Sequence, residues 1–170
     1  MRTRPRSSRG FTLIEILVVI GMIAVLATVV LIALNPAHQF AEARNSQRES
    51  NVNAILNAVG QRLAENHGEF VSPGNACQEE LPSETHFIAH DGNAADQFDL
   101  RKCLVPTYLT ELPFDPSNGH NQCTDADCAT GTYDTQYTVT RDSSTGRVTI
   151  CAPEHAESAI PGSLPFCLTR

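Results

Sequence analysis

Arg9-Gly10-Phe11-Thr12-Leu13-Ile14-Glu15 opens an apolar run that continues to Leu34. Four arginines precede the glycine, and the 24 residues of segment 11–34 contain one charged side chain, that of Glu15. At about 1.5 Å per residue, a helix over this run is about 36 Å long, which is enough to cross a hydrocarbon core of about 30 Å. A carboxylate inside such a span is costly and usually marks a function. The run therefore predicts a membrane helix with a specific use for Glu15.

The residues around Gly10 resemble the processing site of type IV prepilins and of type II secretion pseudopilins. That family has a short basic leader ending in glycine, then a phenylalanine, with a glutamate at the fifth residue after the cut; Gly10, Phe11 and Glu15 match. The resemblance implies that a prepilin peptidase cuts between Gly10 and Phe11 and N-methylates Phe11. It also gives Glu15 a partner, the free amine of Phe11 on a neighbouring subunit. Since one buried charge can fix register, we interpret Glu15 as a register device between identical packed helices.

An ordinary signal sequence is the main alternative for this segment. Secretory signals have an apolar region of about 7–15 residues and a small-residue cleavage site. The run here is longer, and neither a removable signal nor a simple membrane anchor has a use for Glu15. The pilin-type interpretation is therefore favoured.

Charge is distributed unequally on the two sides of the predicted span. The formal net charge of the 170 residues is −7, and loss of the four leader arginines would change it to −11. Positive-inside bias places residues 1–10 in the cytoplasm and the C-terminal part outside. An acidic head disfavours a general nucleic-acid-binding surface, because phosphate contacts need Lys and Arg. A small local basic patch stays compatible with this composition.

All six cysteines follow residue 70, on the predicted outer side of the membrane. An even number of cysteines in an exported head suggests disulfides, although six cysteines allow 15 pairings. Zinc is disfavoured, because the spacings do not supply two close pairs. A preference for local closure gives the pairs Cys77 with Cys103, Cys123 with Cys128, and Cys151 with Cys167.

The pattern changes at Asn35-Pro36, where the proline predicts a kink or a break in the helix. Helical periodicity then resumes, and the helix is expected to end near Gly68. One face of this second part is apolar, with Val52, Ile55, Leu56, Val59 and Leu63. The other faces are predicted to carry Arg44, Arg48, Glu49 and Arg62.

Residues 67–170 are predicted to form an exported globular head with 15 acidic and 5 basic side chains. Alternating β-branched residues predict strands over 136–140 and 147–151, joined as a hairpin. Residues 97–104 fit a short helix or an irregular strand. The expected fold is α+β and pilin-like: a long kinked N-terminal helix packed on a small antiparallel sheet with disulfides. Its segments are a leader (1–10), a membrane helix (11–34), an amphipathic helix (35–66) and the head (67–170).

One stretch of the head bears on the branch of the family. Leu112-Pro113-Phe114-Asp115-Pro116 is similar to a stretch of the major pseudopilin of secretion systems. That branch usually continues with an aromatic-glycine turn, where this chain has Ser117-Asn118-Gly119. The departure and the extra cysteines lean towards a pilin, whereas the small size of the chain and the resemblance of residues 112–116 lean towards the secretion-type major subunit.

Few residues of the head suggest metal or catalytic chemistry. Asp125 and Asp127 offer oxygens that could bind calcium, as secretion-branch pseudopilins do in this general region, but no complete ligand loop is legible. A solvated acidic loop is the favoured interpretation. His86 and His90 are four residues apart but lack the glutamate of a zinc-protease motif, so surface histidines are favoured. No nucleophile elbow, phosphate loop or dinucleotide fingerprint is present, and we predict neither an enzyme nor a resident cofactor.

The function predicted from the sequence is that of a structural subunit of a type IV-type filament. A pseudopilin of a type II secretion system is the alternative within the family, and a membrane-anchored, non-polymerising binding module is the alternative of another class. The resemblance implies four partners: prepilin peptidase, other pilin subunits, an inner-membrane assembly platform and membrane lipid. The protein is expected in the inner membrane first and then in a filament in the periplasm or at the cell surface.

Overall fold

The computed structural model describes residues 10–71, 77–91, 95–125 and 128–170, without the side chains of residues 32–34. The predicted leader, except Gly10, and the predicted calcium ligand Asp127 lie outside these residues. The chain divides into two compact units, Met1–Gln39 and Phe40–Arg170. Its helices are α1 (Leu13–Leu34), α2 (Pro36–Glu65) and α3 (Arg101–Leu104). Its strands are β1 (His86–His90), β2 (Gln97–Phe98), β3 (His120–Asn121), β4 (Tyr133–Arg141), β5 (Val148–Ala152) and β6 (Phe166–Thr169).

The helical path is interrupted between α1 and α2. Leu34 is the last residue of α1, Asn35 adopts the left-handed region with φ 40°, and Pro36 begins α2. Pro36 fits the first position of a helix, because the amide hydrogen it lacks would have no partner there. At the other end of α2, Gly68 has φ 95° and its amide donates to the Leu63 carbonyl over 2.7 Å. Gly68 is therefore the C-terminal cap, as the sequence predicts.

The buried face of α2 corrects one prediction. Arg48 and Arg62, which were predicted to lie off the apolar face, are 1% and 3% exposed. Both arginines lie on the apolar face of the helix, because Arg48 is four residues before Val52 and Arg62 is three residues after Val59. The buried stripe, in alternating steps of four and three, is Ala41, Asn45, Arg48, Val52, Ile55, Val59 and Arg62.

The sheet has the strand order β2-β1-β4-β5-β6, with β3 paired to β4. The predicted hairpin is confirmed as β4 and β5, with Val139 opposite Ile150. The sheet is antiparallel, as predicted, except at β2, which runs parallel to β1 and makes the sheet mixed. Hairpin signals identify strands that are neighbours in the sequence, whereas β2 is only two residues long and is too short to give such a signal. Residues 97–104 supply both predicted alternatives, a short strand and then α3.

The core of the second unit lies between α2 and the sheet. It combines α2 side chains with residues of β1, β4 and β5, including Val52, Ile55, Val59, Ile88, Tyr137, Val139 and Ile150. Three disulfides close loops around this core, and they join Cys77 to Cys103, Cys123 to Cys128, and Cys151 to Cys167. These are the pairs that local closure favours. The last one crosses from β5 to β6, where Cys151 faces Cys167 in the strand register.

Candidate functional site

The predicted processing site precedes regular structure. Gly10 and Phe11 lie before the first residue of α1, and 84% of Phe11 is exposed. A Cβ placed on Gly10 would meet nothing within 4 Å. The glycine is therefore not required by packing within the chain. The bond between these residues is open to an enzyme, as cleavage there would need.

Glu15 has a local role that sequence reasoning missed. Its Oε2 accepts from the Thr12 amide over 2.8 Å and from Thr12 Oγ1 over 2.9 Å, and its own amide donates to Thr12 Oγ1 over 3.3 Å. This reciprocal pattern is a capping box, and the Thr-x-x-Glu spacing could have revealed it. Glu15 thus satisfies amide groups at the start of α1. Among the described residues its second oxygen, Oε1, has no partner.

The surface of α1 is apolar on all sides. Residues Leu13–Leu31 have a mean hydropathy of 2.8, and none of that window is buried within the chain. By length and composition this helix can cross a membrane. The hydroxyl of Thr28 donates to the Ala24 carbonyl over 2.8 Å, so this polar group needs no water. A helix that is apolar all round needs a partner outside the chain, either lipid or other helices.

The second unit contains a buried ion network, centred on Arg48. Arg48 Nε lies 2.5 Å from Asp115 Oδ2, and both side chains are essentially inaccessible to solvent. Arg48 Nη1 lies 2.6 Å from Glu157 Oε1. Glu157 also accepts from Arg44 Nε and Nη2, over 2.7 and 2.8 Å. The network joins α2 to two separate loops of the head.

These contacts shift the pKa values of the participating groups. Hydrogen bonds from Arg44, and then from Arg48, lower the pKa of Glu157 from 4.5 to about 2. Burial alone would raise the pKa of Asp115, but the hydrogen bonds from Arg48 and from two backbone amides outweigh it, and that pKa is lowered. The pKa of Arg48 is raised, because its bonds to the two carboxylates outweigh its burial. All three groups are therefore charged at neutral pH.

A tight turn holds the Asp115 carboxylate in place. Asp115 Oδ1 accepts from the amides of Ser117 and Asn118 over 2.8 and 3.1 Å, and Ser117 Oγ accepts from Arg48 over 3.1 Å. A Cβ on Gly119 would lie 2.6 Å from the Asp115 amide nitrogen, so glycine is required there. The Ser-Asn-Gly sequence that departs from the secretion-type pattern is thus the turn that fixes this buried carboxylate.

The predicted metal-binding residues are engaged within their own surroundings. The Asp125 carboxylate accepts from the Ala129 amide over 2.9 Å and from Thr130 Oγ1 over 3.1 Å. Within the described part of the chain, no group of three or more His, Cys, Asp or Glu side chains could hold a metal ion. His86 and His90 occupy the two ends of β1, and His90 lies 3.6 Å from Asp99. Calcium binding at Asp125, the less favoured of the two interpretations, stays untested.

A comparison with known families supports the interpretation of the N-terminus. A family model described as the prokaryotic N-terminal methylation motif matches residues 5–31. The match covers Gly10, Phe11 and Glu15, so the chain carries the signature of type IV pilins and pseudopilins. No curated protein and no solved structure matches the chain. The apolar helix, the second helix, the small mixed sheet and the three disulfides agree with an α+β, pilin-like fold.

Proposed function

We propose that this protein is a structural subunit of a type IV-type filament, matured by a prepilin peptidase and assembled through α1. The observation that carries the proposal is the methylation motif placed on an accessible Gly10–Phe11 bond. That bond directly precedes a capped helix whose apolar surface is exposed all round. These features together suit a helix that is first held in lipid and then packed among copies of itself.

Cleavage would create the group that Glu15 lacks within its own chain. Hydrolysis of the Gly10–Phe11 peptide bond leaves a carboxylate on Gly10 and a protonated amine on Phe11. The capping box occupies Oε2 of Glu15, and Oε1 is left to accept from the amine of a neighbouring subunit. N-methylation keeps the amine charged and still able to donate a hydrogen bond. A buried pair of this kind specifies register more than it adds stability.

Assembly would exchange one apolar environment for another. A helix that leaves lipid for a bundle of similar helices replaces lipid contacts with helix contacts, and small residues such as Gly21 permit close approach. The inner-membrane assembly platform would supply the site of this exchange. The disulfide-closed second unit would remain outside the membrane as the exported head, in a periplasmic or surface filament.

A pseudopilin of a type II secretion system is the alternative within the family. The stretch from Leu112 to Pro116 favours it, because this segment is similar to one of the secretion-type major subunit. The turn at Gly119 and the three disulfides favour the pilin. A membrane-anchored binding module that never polymerises is the alternative of another class, and it gives Glu15 no partner outside its own helix.

The first experiment is the N-terminal mass of the mature protein from cells that have their own peptidase. The proposal expects N-methylphenylalanine at Phe11, and Gly10→Asp should leave the leader attached without changing membrane location. An intact Met1, or a cut near Leu34, would refute processing at Gly10. Imaging of surface filaments would then separate a pilus from a secretion pseudopilus.

A second experiment separates the two roles of Glu15. Glu15→Gln keeps a side chain that can complete the capping box but removes the charge, whereas Glu15→Val removes both. We expect both variants to be cleaved and both to assemble poorly, measured as the fraction of subunits in sheared filaments. Normal filaments from Glu15→Gln would show that capping suffices, and the intersubunit pairing would be wrong.

A further inference from the structure

A groove of about 330 Å³ lies on the head between α2 and the end of the β4–β5 hairpin. Its floor is formed by apolar side chains of α2 together with Val148 at the start of β5. None of its lining side chains is acidic. The complete lining is Leu56, Val59, Gly60, Leu63, Thr145, Gly146, Arg147, Val148 and Arg170.

Gly60 keeps this groove open, although the fold does not require a glycine there. The residue lies inside α2, where glycine weakens a helix relative to alanine. A Cβ on Gly60 would meet no atom within 4 Å, so no neighbouring part of the described chain explains the missing side chain. Glycine at an exposed helix position permits close approach of a backbone. Since Gly60 lines the groove, its missing side chain leaves room there for another molecule.

The groove also gathers positive charge on an acidic head. Two of the head's five basic residues, Arg147 and Arg170, line it, against 15 acidic side chains in residues 67–170. Within the described part of the chain, the Arg147 guanidinium makes no ion pair, and that of Arg170 bonds to the neutral side chain of Asn57. By contrast, Arg141 on the same hairpin lies 3.3 Å from the Glu80 carboxylate. The groove thus combines two arginine side chains with an apolar floor, and none of its lining side chains is acidic.

We propose that this groove binds a short segment of a partner protein that carries a carboxylate beside an apolar side chain. Guanidinium groups bind carboxylates through paired, charge-assisted hydrogen bonds, and the apolar side chain would displace water from the floor. The seven-residue rise from Leu56 to Leu63 is about 10 Å, the length of about three extended residues. Gly60 would let the backbone of that segment lie close to α2. The inference does not depend on filament formation.

Peptide titration of the full chain, isotope-labelled in zwitterionic micelles, tests this proposal. Acetyl-Leu-Glu-Leu-amide is compared with the neutral acetyl-Leu-Gln-Leu-amide, and the amide signals of Gly60 and Gly146 report binding. We expect the glutamate peptide to shift both signals and to bind about tenfold more tightly than the glutamine peptide. Added salt should weaken the binding, since an exposed ion pair is screened.

Four variants make the test specific to the groove. Arg147→Gln removes the unpaired cation and Gly60→Leu fills the floor, and each should weaken binding about tenfold. Arg141→Gln removes a cation of the same hairpin that already has a partner. Ala43→Leu adds the same side chain to an exposed position of α2 far from the groove. Both controls should bind as the unaltered chain does.

Several results would overturn the proposal. These are an absence of shifts at millimolar peptide, equal binding of the two peptides, or equal loss in the control variants. Shifts that need phosphatidylglycerol in the micelles would assign the groove to an anionic lipid surface instead. Shifts that grow with protein concentration in the absence of peptide would assign it to a second copy of this chain.

Discussion

Two consecutive helices of this protein differ in what can remove their apolar side chains from water. α1 is apolar on every side and none of its membrane-length window is buried within the chain, whereas α2 is polar overall and buries one stripe against the sheet. The stripe of α2 is apolar around Ile55, and this apolar part lies between two buried arginines, Arg48 and Arg62. Burial of α1 therefore requires lipid or helices from outside the chain, whereas burial of α2 depends on specific partners inside the second unit.

The comparison shows which polar groups each environment tolerates. α1 satisfies its polar groups locally, with Glu15 bonded to Thr12 and Thr28 bonded to its own helix. In α2, Arg48 donates to Asp115, which is 67 residues away, and Arg62 donates from Nε and Nη1 to the carbonyls of Phe70 and Cys103. Local patterns therefore determine α1, and long-range contacts determine α2. Three predictions test this difference, in order of decreasing effect.

The largest effect is expected when the centre of the buried network is removed. Arg48→Ala should destabilise the head by about 3–5 kcal/mol, because it leaves Asp115 charged and buried without its partner. Urea unfolding followed by near-ultraviolet circular dichroism measures this, since all three tyrosines lie in the head. Arg44→Ala is the matched control on the same helix. Arg44 is 34% exposed, and its loss should destabilise the head much less than the loss of Arg48. Equal costs for the two variants would contradict a special role for Arg48.

The same small change in the two helices should have unequal effects. Ile55→Ala in α2 should cost about 2–5 kcal/mol of head stability, because Ile55 is fully buried and the change leaves a cavity. Ile20→Ala in α1 removes the same atoms from a side chain that is 59% exposed, and the tyrosine signal should unfold at an unchanged urea concentration. Similar destabilisation by both variants would show that α1 contributes to the head core.

Acid should weaken the head through the ion network. The folded-state pKa of Glu157, about 2, lies below its ordinary value of 4.5, so the stabilisation is complete above pH 4.5 and is lost as pH falls towards 2. The pKa of Asp115, which is also lowered, acts in the same direction. The loss assigned to Glu157 should be on the order of 2 kcal/mol after allowance for solvent screening. Urea midpoints measured across this range should fall less steeply for Glu157→Gln, and an identical slope would refute the assignment.

Sequence patterns predicted the structural features that depend on residues close together in the chain. The break at Asn35-Pro36, the cap at Gly68 and the β4–β5 hairpin each depend on residues within one or two turns, and each is present. The sequence did not predict the burial of Arg48, because an arginine is expected to be exposed unless a buried partner for it is known. The Arg48–Asp115 spacing of 67 residues gives no sequence signal of contact. The step from Arg48 to Val52 was a usable signal, since it keeps the arginine in the stripe.

The sequence by itself determined the motif around Gly10, the apolar α1 and the capacity for three disulfides, since each follows from residue type and short-range spacing. Tertiary structure decided the parallel pairing of β2, the ion network that joins α2 to two loops, and the groove beside Gly60. The physical reason is that these features depend on which distant segments meet. Whether a charged side chain is buried depends on the partner that it meets rather than on its residue type. In the same way, whether a glycine lines an open groove depends on the segments that pack around it.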